Sequence, residues 1–174
     1  MSVYDVAVLG SGPGGYVAAL RAALRGANTC IIEKDNLGGV CLNVGCIPTK
    51  AMLYGSHVYR GLGEVERFGL SAGPRDVDGP AFMKRVAGVV DGLCKGVAGL
   101  LKKRGVDVIR GRGRLVARDR LAVETDDGTR EVQARAIILA TGSSPVRPGF
   151  ASWDSDRFWT TDEATTADFL PESA

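Results

Sequence analysis

The sequence has little of several features that mark particular classes of protein. Its 174 residues include one histidine, and aromatic residues make up only 6% of the chain. No stretch approaches the roughly eighteen consecutive apolar residues that a membrane-spanning helix needs. No charged segment is followed by an apolar stretch and a cleavage site, as in an export signal. The sequence therefore predicts a soluble, cytoplasmic protein with no membrane partner.

An excess of charge of one sign is also missing. The chain has 22 basic and 20 acidic residues, which are mostly interspersed, and a formal net charge of +2. A small basic group, residues 102–104, falls at the predicted end of a helix, where cations complement the helix dipole. This balance argues against nucleic-acid binding, which needs a concentrated basic surface.

The four cysteines, in a chain without an export signal, do not indicate a disulfide scaffold. Reducing compartments keep structural thiols reduced. Any disulfide in this chain is therefore expected to be catalytic. The 45% hydrophobic content is sufficient for one domain with a substantial core.

The amino-terminal part has the pattern of a strand, a helix and a second strand. An apolar run at residues 4–9 predicts a buried strand, and the alanine- and leucine-rich residues 16–24 predict a helix that ends at Gly26. Residues 29–33 predict another buried strand. Two parallel strands joined by a helix form a βαβ unit with a right-handed crossover.

The rest of the chain predicts two helices and then several short strands. We expect a helix at 51–62, a loop at 63–80 and a longer helix that ends at Gly105. Residues spaced by three and four form the apolar face of the longer helix: Phe82, Val86, Val89, Leu93, Val97 and Leu100. Strands are expected at 106–109, 114–116, 121–125, 130–132 and 136–140, with a hairpin turn at 126–128. This pattern predicts an α/β fold in which a β-meander is attached to a parallel sheet.

The first motif is a glycine-rich turn, Gly10-x-Gly12-x-x-Gly15, after which the acidic Glu33 ends the next strand. Such glycines permit a tight turn, close approach of the backbone to a pyrophosphate, and close packing of helix on strand. Amides at the helix N-terminus supply partial positive charge, and Glu33 would accept hydrogen bonds from ribose hydroxyls. The motif predicts a site for FAD or NAD, and a purely structural turn is the alternative.

The second motif is a cysteine pair, Cys41 and Cys46, just before the helix at 51–62. Amides at a helix N-terminus stabilise a thiolate, which is the species that exchanges with disulfides. A zinc site and two inert core thiols are the alternatives. Zinc sites usually contain closer cysteine pairs with further cysteine or histidine ligands, and the only histidine here is His57. We therefore favour a redox pair without a metal.

Other chemically active residues give weaker signals. The apolar strand and turn at 137–143 have little meaning alone, since any strand can end in this way. Cys30 lies in the second predicted strand and Cys94 on the long helix, so both are expected to be buried as small hydrophobic residues. His57 follows the cysteine pair, and we expect a structural or surface role for it.

The stretch GGVCLNVGCIPTK, preceded by VAVLGSGPGGYVAALRAA and followed later by ILATGSSP, resembles the signature of the class I pyridine nucleotide-disulfide oxidoreductases. The form CLNVGCIP is most similar to dihydrolipoamide dehydrogenase, whereas glutathione reductase and mercuric reductase more often have CVNVGCVP. One departure is Val40, where members of the family commonly have a threonine whose hydroxyl can contact the flavin region. The resemblance covers nearly the whole chain, and it implies an α/β fold of the Rossmann-like FAD/NAD(P)-binding type, with a parallel sheet and a β-meander in three layers (ββα), incomplete in this chain.

The resemblance implies a flavoprotein that oxidises dihydrolipoamide to lipoamide through a Cys41–Cys46 disulfide and FAD, with NAD as final acceptor. A glutathione or mercuric reductase-like enzyme and a non-catalytic flavin-binding fragment are the alternatives. Residues 1–145 would be the FAD-binding domain, and 146–174 a connector toward an NAD-binding domain that the chain lacks. The catalytic histidine of the family also belongs to a missing region, so we expect an amino-terminal fragment that is inactive alone.

The resemblance also implies roles for individual residues. Cys41 would exchange with the substrate dithiol, Cys46 would contact the isoalloxazine, and Lys50 would place a positive charge beside it. The backbone at Gly113 would pass close to the adenine. The other cofactor-binding residues carried over from the family are Gly10, Ser11, Gly12, Pro13, Gly14, Gly15, Glu33, Lys34, Gly39, Val40, Ala140, Thr141, Gly142 and Ser143. The expected partners are dihydrolipoyl groups of 2-oxoacid dehydrogenase or glycine cleavage complexes, and a second copy in a homodimer.

Overall fold

The computed structural model describes residues 3–74, 76–155, 157–171 and 173. The chain forms two compact units: a first unit of Met1–Asn43 with Leu93–Ser144, and a second unit of Val44–Gly92 with Pro145–Ala174. The strands are β1 (Val3–Leu9), β2 (Thr29–Glu33), β3 (Asp107–Arg110), β4 (Arg112–Ala117), β5 (Arg120–Thr125) and β6 (Gly128–Leu139). The helices are α1 (Pro13–Leu24), α2 (Gly39–Asn43), α3 (Cys46–Leu62), α4 (Gly79–Lys103) and α5 (Thr161–Thr166), with a 3₁₀ turn at Val65–Phe68. The division into domains at residue 145 stays a prediction.

A six-stranded sheet with the strand order β3-β2-β1-β6-β5-β4 lies in the first unit. In it, β3, β2, β1 and β6 are parallel neighbours, while β4, β5 and β6 form an antiparallel meander. All the residues of β2 are buried, as is typical of a parallel strand covered on both faces. The predicted α/β fold, a mostly parallel sheet with an attached β-meander, is confirmed.

The meander covers one face of the parallel strands. Gly113 of β4 lies so close to them that an added Cβ would be 2.3 Å from Leu9 Cδ1 and 3.1 Å from Ile32 Cγ2. Val8 and Ile31 precede Leu9 and Ile32 on their strands, so their side chains point to the opposite face of the sheet. Both are fully buried, so this face is covered as well. The core cluster consists of Tyr4, Ala7, Leu9, Cys30, Ile32, Ile109, Leu121, Val123, Val132 and Ala134.

β6 is one continuous strand where the sequence predicted two. Its first half pairs antiparallel with β5 as far as Gln133, and from Gln133 to Leu139 it pairs in parallel with β1. The prediction of separate strands at 130–132 and 136–140 was wrong, because a strand that changes its partner also changes its burial pattern without turning. From Arg135 onward, none of the described strands pairs with the edge of β6 opposite β1.

The predicted apolar face of α4 is confirmed in part, since Val86 and Val97 are buried. Leu93 and Leu100, which were expected to be buried, are 44% and 50% exposed, whereas Leu101 is fully buried. Cys94 is half-buried and Val97 is buried. Residues 94, 97 and 101 are spaced by three and four and therefore share one helix face. Apolar residues adjoin one another along α4, so the sequence pattern fits either face.

The second unit contains α3, α5 and the amino-terminal part of α4. Gly55 of α3 permits close contact with α4, since an added Cβ would be 2.1 Å from Phe82 Cε2. Thr165 of α5 donates a hydrogen bond from Oγ1 to the carbonyl oxygen of Val44 at 2.9 Å. Among the residues that the structure describes, no helix combines the length and the apolar character needed to cross a membrane.

α5 lies in the segment 146–174, to which the sequence analysis assigned no helix. Thr160 and Glu163 form a capping box at its amino end: the threonine side chain accepts from the backbone, and the glutamate accepts from the Thr160 N–H at 2.7 Å. This Thr-x-x-Glu pattern is a helix-start signal that can be read from the sequence. It was missed because no apolar periodicity follows it.

Replacing Gly113 by alanine tests the packing of the meander on the parallel strands. The new Cβ would overlap Leu9 in a filled core, so we expect the free energy of unfolding to fall by about 1–3 kcal/mol. Gly61→Ala is a matched control, because Gly61 lies within α3 with open space beside it. Urea unfolding followed by circular dichroism measures both. Equal stability of Gly113→Ala and the wild type would contradict the packing.

Cys30 is fully buried, as the sequence predicted. Burial, reinforced by the neighbouring Asp107 carboxylate, raises the pKa of its thiol from 9.0 to about 12. We expect iodoacetamide to leave Cys30 unmodified in the folded chain at neutral pH and to modify it in urea, as measured by mass spectrometry. Exposed Cys46 is the internal control, and equal labelling of the two cysteines in the folded chain would contradict the prediction.

The same pKa shift predicts an effect of pH on stability. The unfolded chain can release the Cys30 proton above pH 9.0, whereas the folded chain holds it until about pH 12. The free energy of unfolding should therefore fall as the pH rises through this window. Cys30→Ala removes the group and should make the fall less steep. An identical slope for the two proteins in urea titrations would exclude the effect.

Candidate functional site

Two glycines make the turn after β1 possible. Gly10 has a φ of +97°, and an added Cβ would be 2.2 Å from the Ala140 carbonyl oxygen. At Gly15, an added Cβ would be 1.8 Å from the carbonyl oxygen of Gly10. The Ala140 N–H donates to the Leu9 carbonyl oxygen at 2.8 Å. The glycine turn and the turn that follows the apolar strand of residues 137–143 therefore meet at the carboxyl ends of β1 and β6.

The amino end of α1 faces open space. Gly12 is the N-cap and Pro13 the first helical residue, and the Tyr16 N–H donates to the Gly12 carbonyl oxygen at 2.9 Å. The amides that precede Tyr16 have no acceptor within the helix and can bind an anion. An added Cβ at Gly12 or Gly14 would meet no atom within 4 Å. This end of α1 thus has the room and the donors for a phosphate group.

Glu33 ends β2 beside the glycine turn and is 7% exposed. Its Oε2 accepts hydrogen bonds from the Ser11 N–H at 2.8 Å and from the Ser11 hydroxyl at 2.6 Å. Its Oε1 accepts from the Asp35 N–H at 2.9 Å. Glu33 therefore lies beside the glycine turn and is held by three donors, and its binding of a ribose stays a prediction. Lys34, in contrast, is exposed and forms an ion pair with Asp35 at 3.3 Å.

Ser11 is fully buried. The sequence analysis included it among the residues that bind the cofactor, but both its N–H and its hydroxyl donate to Glu33. The position is the variable x of a Gly-x-Gly pattern, so no sequence signal marks this role. Its carbonyl oxygen accepts from the Gly38 N–H at 3.1 Å, and its Oγ lies 3.3 Å from the same nitrogen.

The segment that leads to Cys41 contacts the glycine turn. Gly39 has a φ of +58°, and an added Cβ would be 2.6 Å from the Cα of Gly12. α2 begins at Gly39 and contains Cys41, which is half-buried, and Val40, which is 49% exposed. Cys41 was expected just before the helix at 51–62, and it lies within this additional short helix. The contact places the start of the helix that carries Cys41 against the glycine turn in the first unit.

The Asn43 side chain, at the carboxyl end of α2, bonds to backbone carbonyl oxygens at and before the amino end of this helix. Its Nδ2 donates to the carbonyl oxygens of Leu37 at 3.1 Å and Gly39 at 2.9 Å. The Cys94 thiol donates to Asn43 Oδ1 at 3.4 Å. Cys94 is therefore half-buried and not fully buried as predicted, and its thiol lies against the helix that carries Cys41.

In the second unit, α3 begins at Cys46, five residues before the predicted start. Cys46 is exposed and is the first helical residue after Gly45, at the end of α3 that carries partial positive charge. Lys50 is exposed one turn later, and His57 is exposed farther along the same helix. Cys41 and Cys46 are both thiols in the structure, so the predicted disulfide stays a prediction.

The remaining predicted residues lie at the carboxyl end of β6 and on β4. Thr141, Gly142 and Ser143 follow β6 and are exposed. Gly113 has its own packing reason to be glycine, and its approach to an adenine stays a prediction. In the described part of the chain, no group of three or more His, Cys, Asp or Glu side chains is arranged to hold a metal ion.

Comparisons with known proteins agree with these motifs. A profile of the pyridine nucleotide-disulphide oxidoreductase family matches residues 4–173. Dihydrolipoyl dehydrogenase of Chlorobaculum tepidum is 45% identical over 172 residues, which cover 98% of this chain and 36% of that protein. A dihydrolipoyl dehydrogenase of Bacillus subtilis is 39% identical over an alignment of 180 residues, gaps included, which covers 98% of this chain and 38% of that protein.

A solved structure shares the fold. The HOCl-induced flavoprotein disulfide reductase RclA from Escherichia coli, in its Cu(II) complex, matches 98% of this chain and 36% of its own with a TM-score of 0.83 and 23% identity. This chain spans 36% to 38% of the length of the two dihydrolipoyl dehydrogenases. With the family profile matching almost from end to end, the chain belongs to the pyridine nucleotide-disulphide oxidoreductase family.

Proposed function

We propose that this chain binds FAD and carries the redox cysteine pair of a dihydrolipoyl dehydrogenase. The observation that carries the proposal is the meeting, in the first unit, of the glycine turn, the buried Glu33 carboxylate and the helix that contains Cys41. Family membership and the relatives' names support it, since several relatives at 38% to 45% identity are dihydrolipoyl dehydrogenases. Relatives with these names favour this enzyme over the glutathione and mercuric reductases.

The residues present fit a dinucleotide such as FAD. The amides at the amino end of α1 would hold the pyrophosphate, and the open space at Gly12 and Gly14 would admit it. The Glu33 carboxylate would accept a hydrogen bond from an adenosine ribose hydroxyl. Bound FAD would supply a two-electron acceptor for the cysteine pair and a hydride donor for NAD.

The cysteine pair would carry out thiol–disulfide exchange. A thiolate of the substrate dithiol forms a bond to the Cys41 sulfur, the Cys41–Cys46 bond breaks, and Cys46 leaves as a thiolate. The second substrate thiol then bonds to the first substrate sulfur and releases Cys41. The substrate loses two electrons and two protons and becomes a cyclic disulfide, and the cysteine pair gains the two electrons. Cys46 at the amino end of α3 stands where the helix dipole stabilises negative charge.

The proposed partners follow from the relatives' names and from the motif. We propose that the dithiol is a dihydrolipoyl group carried by a 2-oxoacid dehydrogenase or glycine cleavage complex, that NAD is the final acceptor and that the full-length enzyme is a homodimer. A dithiol that can close on itself completes both steps within one molecule, because its second thiol displaces Cys41. A monothiol such as glutathione would need a second molecule for that step.

Gly12→Ala tests the nucleotide site without disturbing the fold. An alanine Cβ at this position meets no atom and the φ of −63° suits any residue, so the urea midpoint should not change. The methyl group would occupy space next to the pyrophosphate, and we expect FAD affinity to fall by about tenfold or more, which is about 1.4 kcal/mol. Flavin fluorescence quenching in a titration of the whole chain measures it, with Gly61→Ala as control.

Two outcomes of this titration would count against the proposal. If the wild-type chain did not quench flavin fluorescence at all, it would not be a flavin-binding chain. If Gly12→Ala bound FAD as tightly as the wild type, the pyrophosphate would not lie at the amino end of α1.

The cysteine pairing can be tested by oxidation and peptide mapping. We expect diamide to join Cys41 to Cys46, because four residues separate them and both are accessible to some degree. Cys46→Ser should abolish the cross-linked peptide in mass spectra, whereas Cys30→Ser should retain it, since Cys30 is buried. A dominant link between Cys41 and Cys94, whose thiol lies beside α2, would contradict the proposed redox pair.

A further inference from the structure

The hydroxyl of Ser11 has a fixed direction in a buried hydrogen-bond chain. It lies 2.6 Å from Glu33 Oε2, and a carboxylate offers only acceptor atoms, so the hydroxyl is the donor. Its lone pairs face the Gly38 N–H at 3.3 Å. The chain thus runs from Gly38, which precedes α2, through Ser11 to Glu33.

The same hydrogen bonds determine how many further donors the Glu33 carboxylate can accept. A carboxylate has about four acceptor positions. The Ser11 N–H and hydroxyl use both positions of Oε2, and the Asp35 N–H uses one position of Oε1. The fourth position, on Oε1, has no donor among the described residues. A buried carboxylate held from three sides in this way cannot turn to meet a ligand without breaking a charge-assisted hydrogen bond.

We propose that Ser11 is a positioning residue for nucleotide binding: it holds the Glu33 carboxylate so that the open acceptor position on Oε1 is presented to an adenosine ribose hydroxyl. The inference rests on the proposed function, because it assumes that a dinucleotide lies along the glycine turn. Ser11 itself makes no contact with the ligand in this arrangement, since it is fully buried and its polar atoms are engaged within the protein.

Measurements of FAD affinity can distinguish a role of Ser11 that acts through Glu33 from a role of Ser11 in packing. We expect Ser11→Ala to weaken FAD binding by about tenfold, because the variant loses a hydrogen bond to a charged group and part of that loss appears in the free chain. In a Glu33→Ala background, adding Ser11→Ala should change FAD affinity by less than about twofold, since nothing is left to position. If Ser11 only filled space, the two effects would be additive.

The experiment is a double-mutant cycle on the whole chain, with Kd measured by flavin fluorescence and stability measured by urea unfolding. ADP binding, measured by calorimetry, should show the same coupling as FAD, because ADP retains the ribose that Glu33 would bind. Ser71→Ala, at an exposed serine outside the glycine turn, is the control and should leave both affinities unchanged. Ser11→Gly and Glu33→Leu replace the alanine variants if either of those fails to fold.

The outcomes separate the inference from the proposed function. Absence of FAD binding by the wild-type chain overturns the proposed function, and the inference with it. FAD binding by the wild type with unchanged affinity in Ser11→Ala, or with additive effects of the two substitutions, overturns the inference alone. Coupling that appears with both FAD and ADP supports it.

Discussion

At the carboxyl end of β1, several stretches of backbone approach so closely that side chains would not fit between them. Gly10 lies against the Ala140 carbonyl oxygen, and Gly15 lies against that of Gly10. Gly39 lies against the Cα of Gly12. Because such contacts leave no room for a Cβ, the glycine turn, the end of β6 and the start of α2 hold one another in place. The open amino end of α1 depends on this arrangement.

Hydrogen bonds to the Glu33 carboxylate stabilise the same arrangement. Burying a carboxylate is costly unless donors surround it, and Glu33 is buried where three donors at the turn and the strand end bond to it. The glycine contacts therefore fix more than the shape of a loop. They also place the N–H and hydroxyl of Ser11 where a charged group can be accommodated away from water.

The parts of this site with a strict backbone requirement could be predicted from the sequence. Gly10 and Gly15 mark a turn that only glycine can form, and the spacing to Glu33 follows from one helix and one strand. The pairing of Ser11 with Glu33 could not be predicted, because the x of a Gly-x-Gly pattern accepts many residues. Likewise, the buried face of α4 and the continuity of β6 depend on packing between segments distant in sequence, which local periodicity does not record.

The second half of β6 affects how the isolated chain behaves in solution. From Arg135 to Leu139 its backbone bonds to β1 on one side, and in the described part of the chain no strand occupies the other. Ile138 and Leu139 on this stretch are 37% and 59% exposed. An uncapped apolar strand of this kind is a template for intermolecular β-sheet growth. Concentrated solutions of the isolated 174-residue polypeptide should therefore be prone to oligomerise through it.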